Sequence, residues 1–397
     1  MPKPLKLAAV ATTYYRHSHA QHIVDRFLEG YGFDGRHHRP AMSLASMYVD
    51  KPAKKDLAYD RFARYPSMRE YKSVAEALTL GGDKLAVDGV LLIGEHGDYG
   101  RNEKGQSLYP RYELFKQIVE VFEASGRCVP VFNDKHFSWD WKKAKWMYDQ
   151  ARRLGFPMLV GSSLPVTVRI PAVDMPLGAQ VEEAIGLAYG GVDSYDFHIL
   201  EMIQCMVERR RGGETGVAWL KTYRGEAFWQ AHQRGVWSRD LFESALGRSH
   251  RMELPETGGT AVFPTERELR NQVKDPIAYQ YQHIRGPLCT SILLTGLLSD
   301  FNFAARLKGR AKPVSANFLL PMPGPGNQLA TFFSPQCRWI ERMIETGREP
   351  YPPERTLLTT GLTAAAVDSL YRKGKKITTP HLAIRYQPAK RSTFWRD

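Results

Sequence analysis

The sequence LKLAAVATTYYRHSHAQHIVDRFLEGYG, Leu5 to Gly32, changes its hydrophobic period once. Its first part, Leu5 to Tyr15, is a short, almost continuous apolar run ending in Thr and Tyr, the composition of a parallel strand buried on both faces. Its second part places Ile23, Val24, Phe27 and Leu28 on one helical face and stops at Gly30 and Gly32. The alternation continues outward. SLASMYVD (43–50), VDGVLLIG (87–94), CVPVFN (128–133) and FPMLVGSS (156–163) read as strands. YKSVAEALTLGG (71–82), LFKQIVEVFEASGR (114–127) and SWDWKKAKWMYDQARRLG (138–155) read as the helices between them. Such an order predicts α/β architecture, a Rossmann-like doubly wound parallel sheet over residues 1–165. A sheet of this kind takes its ligand at the carboxyl ends of its strands.

Beyond Pro165 the texture changes. Strands become longer and alternate, as in GVAWLKTYR (216–224), and Pro- and Gly-rich joints such as LPMPGPGN (320–327) interrupt them. Residues 166–397 therefore read as an α+β domain. The chain has 397 residues, 43% hydrophobic and 24% charged, which excludes a disordered scaffold and leaves room for two cores. No apolar run reaches the ~18 residues of a membrane-spanning helix, and the first residues lack a leader pattern, so no membrane and a cytoplasmic location are expected. Four cysteines stand far apart without C-x-x-C spacing, which predicts free thiols. The net charge of +13 comes from short, scattered clusters such as RLKGRAK (306–312). No nucleic-acid recognition signature accompanies it, so no nucleic acid is expected; an acidic small substrate or a solvated surface accounts for it.

The predicted strand ends carry the chemistry. His17, His19 and His22 follow the first strand, Glu95, His96 and Asp98 follow VLLIG, and Asp134, Lys135 and His136 follow CVPVFN. Taken singly, these are surface or helix-capping residues, and Asp98 shapes a turn. Taken together they suggest a divalent metal (Mn, Zn or Fe) held among His17, His19, Glu95, His96, Asp134 and His136. A dinucleotide fingerprint is missing: the turn ATTYYRHSHAQH has no glycine where pyrophosphate requires close backbone approach, so NAD(P) is doubtful. At 190–210, GGVDSYDFHILEMIQCMVERR places Asp193, Asp196, His198 and Glu201 at the head of an apolar helix. One aspartate reads as an N-cap, and His198 reads as a general acid or base.

These residues resemble the family of glucose-fructose oxidoreductase and inositol dehydrogenase, Gfo/Idh/MocA. Asp134-Lys135-His136 stands where that family has Glu-Lys-Pro, Arg169 and Pro171 in GSSLPVTVRIP match its Arg-x-Pro element, and His198 falls at its second-domain histidine. The segment 343–377 is similar to its closing helix. The resemblance implies a Rossmann domain followed by an α+β domain with a large open, mainly antiparallel sheet, a C-terminal helix returning toward the first domain, and homo-oligomers formed through that sheet. It implies Lys135 and His198 as catalytic residues, with Asp196 or Asp193 as the companion aspartate, since Ser194 occupies the usual place. The expected function is a carbohydrate-active enzyme, a metal-dependent lyase, hydrolase or isomerase of a sugar or keto glycoside. A NAD(P)-dependent sugar oxidoreductase and a non-catalytic sugar-binding protein are the alternatives.

Overall fold

The computed structural model describes residues 4–253, 263–321 and 330–396. Most of the LPMPGPGN joint lies outside them. The first sheet has six parallel strands: β1 (Leu5–Ala11), β4 (Met42–Val49), β5 (Arg69–Glu70), β6 (Gly89–Ile93), β7 (Val131–Asp134) and β8 (Met158–Gly161), in the order β5-β4-β1-β6-β7-β8. A small hairpin, β2 (Tyr31–Phe33) with β3 (Arg36–His38), follows the first helix. Chain order reverses between β1 and β6, which opens the crevice of a doubly wound sheet at their carboxyl ends.

Helices α1 (His19–Glu29), α2 (Ala58–Arg64), α3 (Val74–Thr79), α4 (Arg111–Ser125) and α5 (Trp141–Leu154) cover the two faces. The residues of β1 from Leu7 to Ala11 are fully buried and divide between two cores, Leu7, Ala9 and Ala11 in one and Ala8 and Val10 in the other. That explains why the strand is apolar without alternation. Ser18, Ser73 and Asp140 cap α1, α3 and α5 through their side chains. Two boundaries differ from the sequence reading. Strand β7 starts at Val131 rather than Cys128, and α4 starts at Arg111, three residues earlier than its apolar period suggests.

The second sheet has eight strands: β9 (Arg169–Ile170), β10 (Val181–Ala188), β11 (Val217–Arg224), β12 (Ile277–His283), β13 (Leu288–Leu293), β14 (Phe301–Leu307), β15 (Val314–Phe318) and β16 (Ile377–Thr378). Their order is β16-β11-β12-β13-β10-β14-β15-β9, antiparallel throughout except for β10 beside β13. Helix α6 (Tyr195–Val207) lies on one face of this sheet, and α7 (Glu226–Gln233), α8 (Arg239–Leu246) and α9 (Glu266–Gln272) follow in the chain. Helices α10 (Phe333–Thr346) and α11 (Glu354–Tyr371) return to pack on α1 and α5.

The sheet is open, with β16 and β9 at its edges, and both of its faces are covered within the chain. On β10, Ala184 and Ala188 face the core shared with α6, while Ile185 and Leu187 face the opposite way. There they are buried with Phe228, Trp229, Trp237, Leu241 and Phe242 of the α7–α8 region. An apolar sheet face must be covered by something, and here the chain covers it itself. No helix among the described residues is long and apolar enough to cross a membrane. Cys128, Cys205, Cys289 and Cys337 are free.

Candidate active site

The loops after β1, β6 and β7 meet at one edge. Thr12 joins the first two by donating its hydroxyl to the Glu95 carbonyl at 2.7 Å. His19 Nδ1 lies 2.7 Å from Asp134 Oδ2, and the His96 ring packs edge-on against His19 and Tyr15. His22 stacks on Phe333, with His17 beside it. His17, His96, Lys135 and Asp193 all adopt left-handed backbone angles, φ 68, 72, 66 and 58°. For non-glycine residues such angles cost about 1–3 kcal/mol each, and they concentrate where side chains must be aimed.

At the centre stands a charged group that the sequence reading did not assemble. Glu95 pairs with Arg111, and its other oxygen lies 3.7 Å from Lys135 Nζ. Arg111, fully buried at the first turn of α4, also reaches His136 Nε2 at 3.2 Å. Gly94 makes room for it, since a Cβ there would lie 2.5 Å from Arg111 Cγ. Lys135 Nζ is 2.8 Å from His198 Nε2, and His198 Nδ1 is 2.6 Å from Ser162 Oγ. Arg111 left one signal in the sequence. A cation in the first turn of a helix opposes the helix dipole, and it is retained there when a carboxylate holds it.

Burial alone would raise the Glu95 carboxyl, but Lys135 and then Arg111 hold it well below the usual carboxylate range. Burial pushes His198 and His136 well below the usual imidazole range, helped by Lys135 for the first and Arg111 for the second. His96 falls to about 4 and His22 to about 3, burial again leading. These imidazoles are neutral at pH 7. With a neutral ring between them, the partner set assigns an ammonium donating to His198 Nε2 and Nδ1–H donating to Ser162 Oγ.

The acidic residues of the second domain do other work. Asp196 accepts from the backbone N–H groups of Asp193, Ser194 and Phe197 and from the Tyr279 hydroxyl, so it caps the turn that opens α6. Asp193 accepts from Ser107 N at 2.9 Å; burial and then Asp196 push it up to about 7. Neither aspartate is hydrogen-bonded to His198 among the described residues. Glu201, fully buried, accepts from Thr356, Thr359 and Ser162 N, and burial pushes it up to about 7 against the opposing pull of Arg355. Gly161 lets this carboxylate approach, because a Cβ would stand 2.5 Å from Glu201 Oε2.

The expected metal group is corrected by this pairing. Among the described residues no cluster of three or more His, Cys, Asp or Glu side chains is placed to hold a metal ion. The reason is electrostatic. Glu95 faces Arg111 and Lys135, His136 Nε2 faces Arg111, and Asp134 faces His19, so both carboxylates already serve partners within the protein, while His17 Nδ1, His96 Nε2 and His136 Nδ1 are buried without a hydrogen-bond partner. His17, His19 and His96 complete the edge as packed rings rather than as a ligand set.

The dinucleotide crevice is satisfied from within the chain as well. At the α1 N-terminus, Ser18 Oγ accepts from the N–H groups of Tyr15 and Gln21, and the Gln21 side chain accepts from His17 N, so amides that would bind pyrophosphate are occupied. Tyr99 crosses the crevice to donate to Asp50 Oδ2 at 2.7 Å, while Tyr48 donates to Asp50 Oδ1. Lys51 lies over the Tyr99 ring and donates to the Asp98 carbonyl. Asp50, the carboxylate at the ribose position, thus has both oxygens engaged. These residues do not fit a dinucleotide bound in the ordinary manner.

No family model matches the sequence, and no curated protein matches it either. Solved structures do match by shape. GenD2 from gentamicin A biosynthesis, in complex with NAD, aligns over 95% of this chain and 97% of its own at TM-score 0.57 and 12% identity. A myo-inositol dehydrogenase from Lactobacillus casei, in complex with NAD(H) and myo-inositol, aligns over the same shares at TM-score 0.57 and 9% identity. An oxidoreductase from Agrobacterium radiobacter, in complex with NAD+, L-tartaric acid and magnesium, covers 95% of this chain and 98% of its own at 0.53 and 13%. The two-domain Gfo/Idh/MocA fold is shared across nearly the whole length.

Proposed function

We propose that this chain, which has the two-domain fold of the inositol and sugar dehydrogenases, is an enzyme that moves a proton at a hydroxyl- or carbonyl-bearing carbon of a sugar or polyol. The observation that carries this reading is the chain Lys135–His198–Ser162, joined at 2.8 and 2.6 Å and buried between the domains. Lys135 spends one N–H on His198 and is steered by Glu95, which leaves N–H capacity for a substrate oxygen. Its ammonium delivers a proton to a carbonyl or departing oxygen and is reprotonated from solvent, while neutral His198 accepts from it through Nε2 and holds it in place. Glu95 and Arg111 fix the local charge, so that lysine is oriented in a site of low dielectric.

Two reaction classes share this step. A nicotinamide-dependent sugar oxidoreductase is favoured by the fold neighbours that carry NAD. Elimination, hydrolysis or isomerisation of an oxidised sugar without a nucleotide is favoured by Tyr99 lying across Asp50. That second observation belongs to this chain, and it decides our preference. The test is turnover of keto glycosides, their parent glycosides and polyols, each with and without NAD+ or NADP+, beside an NADH fluorescence titration. Turnover of a keto glycoside without added nucleotide, and no saturable NADH binding, are expected. Turnover that requires NAD(P)+ would establish the oxidoreductase instead.

A further inference from the structure

Next to the site lies a groove that the chemistry above does not use. Its larger lobe encloses about 1010 Å³ between the loop carrying Arg101 and Lys104 and the second domain. Its floor includes Gly190, Gly191 and Ser194, the turn that opens the helix of His198. The same turn touches the proton-transfer loops, since Asp193 accepts from Ser107 N. A lobe of this size lies at the upper end of the ~300–1,000 Å³ of common small-molecule pockets, so it is roomy for a single sugar ring.

The lining is cationic. Arg101, Lys104, Arg224 and Lys274 face the larger lobe against one carboxylate, Asp275. The smaller lobe, about 440 Å³, shares Arg224 and Leu370 with it and adds Lys221, Arg234 and Lys373, with no carboxylate among its lining residues. Arg224 is held by Asp275 at 2.6 Å and Lys104 by Asp368. Among the described residues Arg101, Lys221, Arg234, Lys274 and Lys373 have no acidic partner. Tyr371, 53% exposed, offers an aromatic face on the rim of the larger lobe. Unpaired cations converging on one concave surface raise the local concentration of anions and are poorly suited to a neutral ligand.

We propose that this groove holds the carboxylate-bearing arm of an acidic oligosaccharide, whose reacting ring sits at Lys135. The proposal rests on the sugar-acting reading above and adds its substrate class. Four or more carboxylates along a glycan would meet the cations in turn, while Tyr371 stacks on a ring face. Part of the chain's positive charge, outside the 306–312 cluster, is thereby concentrated at the α11 end of the domain interface.

Calorimetric titration tests this with tetragalacturonate, maltotetraose as the neutral control, and inorganic phosphate as the bare anion. Tetragalacturonate should bind at least tenfold more tightly than maltotetraose, and the double variant R234E/K373E should weaken it at least tenfold while keeping the wild-type melting temperature. Raising the salt from 50 to 300 mM should weaken it as well. Lys135→Met should lose turnover while tetragalacturonate still binds at least tenfold more tightly than maltotetraose, so that failure of the proton-transfer chemistry and failure of the groove are read separately. Equal affinity for the neutral tetrasaccharide, unchanged affinity in the double variant, or phosphate binding as tightly as the tetramer would overturn the proposal.

Discussion

The turn after β1 and the turn after β7 leave the same edge of one parallel sheet, yet their polar groups face different ways. After β1, Ser18, Gln21 and Tyr99 satisfy backbone and carboxylate groups from within the chain, and the crevice closes on itself. After β7, Lys135 is held in a left-handed conformation and aimed at His198, across the domain boundary. One turn is satisfied by its own side chains, while the other presents a lysine paired with a histidine of the second domain. A shared fold does not by itself carry a shared function with it, because the groups at each turn depend on that turn's own residues.

The sharpest way to break this comparison is Lys135→Met. We expect turnover to fall roughly 10²–10⁴-fold with the fold retained. Activity within a few-fold of wild type would remove the turn after β7 from the chemistry.

A smaller effect concerns the support beneath the pair. Glu201 has a higher proton affinity in the folded chain than in the unfolded one, since burial, against Arg355, pushes it up to about 7. As pH rises above about 4.5 the unfolded chain loses that proton first, so the contribution of this group to stability is full below that pH and is lost as pH climbs to about 7. Glu201→Gln should abolish that loss, worth about 3 kcal/mol, when urea unfolding is compared at pH 4.5 and 8. Parallel pH profiles for variant and wild type would show that Glu201 is ionised throughout.

The smallest effect belongs to the filled turn. Tyr99→Phe removes the bond to Asp50 and should cost about 1 kcal/mol in urea unfolding, with turnover unchanged. A tenfold loss of turnover would place Tyr99 in the working site and collapse the distinction between the two turns.

Much of this was legible beforehand. Periodicity and capping residues placed the strands and helices of the first sheet, and the absence of glycine in ATTYYRHSHAQH pointed to a changed crevice. Lys135 and His198 were found by resemblance, although they stand 63 residues apart. Arg111 was passed over because its helix was read from Leu114 onward, and Ser162 looked like an ordinary strand end. The metal expectation finds no support in the structure for a related reason. Counting His and carboxylate residues says which loops carry them, but not which cations stand opposite.

The sequence by itself determined the strand–helix alternation, the second α+β region and the loops that carry titratable groups, because hydrophobic period and turn chemistry are local properties of the chain. Tertiary structure alone decided that Arg111 and Lys135 share Glu95, that Asp196 caps a helix, and that α7 and α8 cover the sheet face. Ion pairing and burial depend on which distant segments meet in a low-dielectric interior, where a few ångströms decide between a metal ligand, a salt-bridge partner and a proton donor.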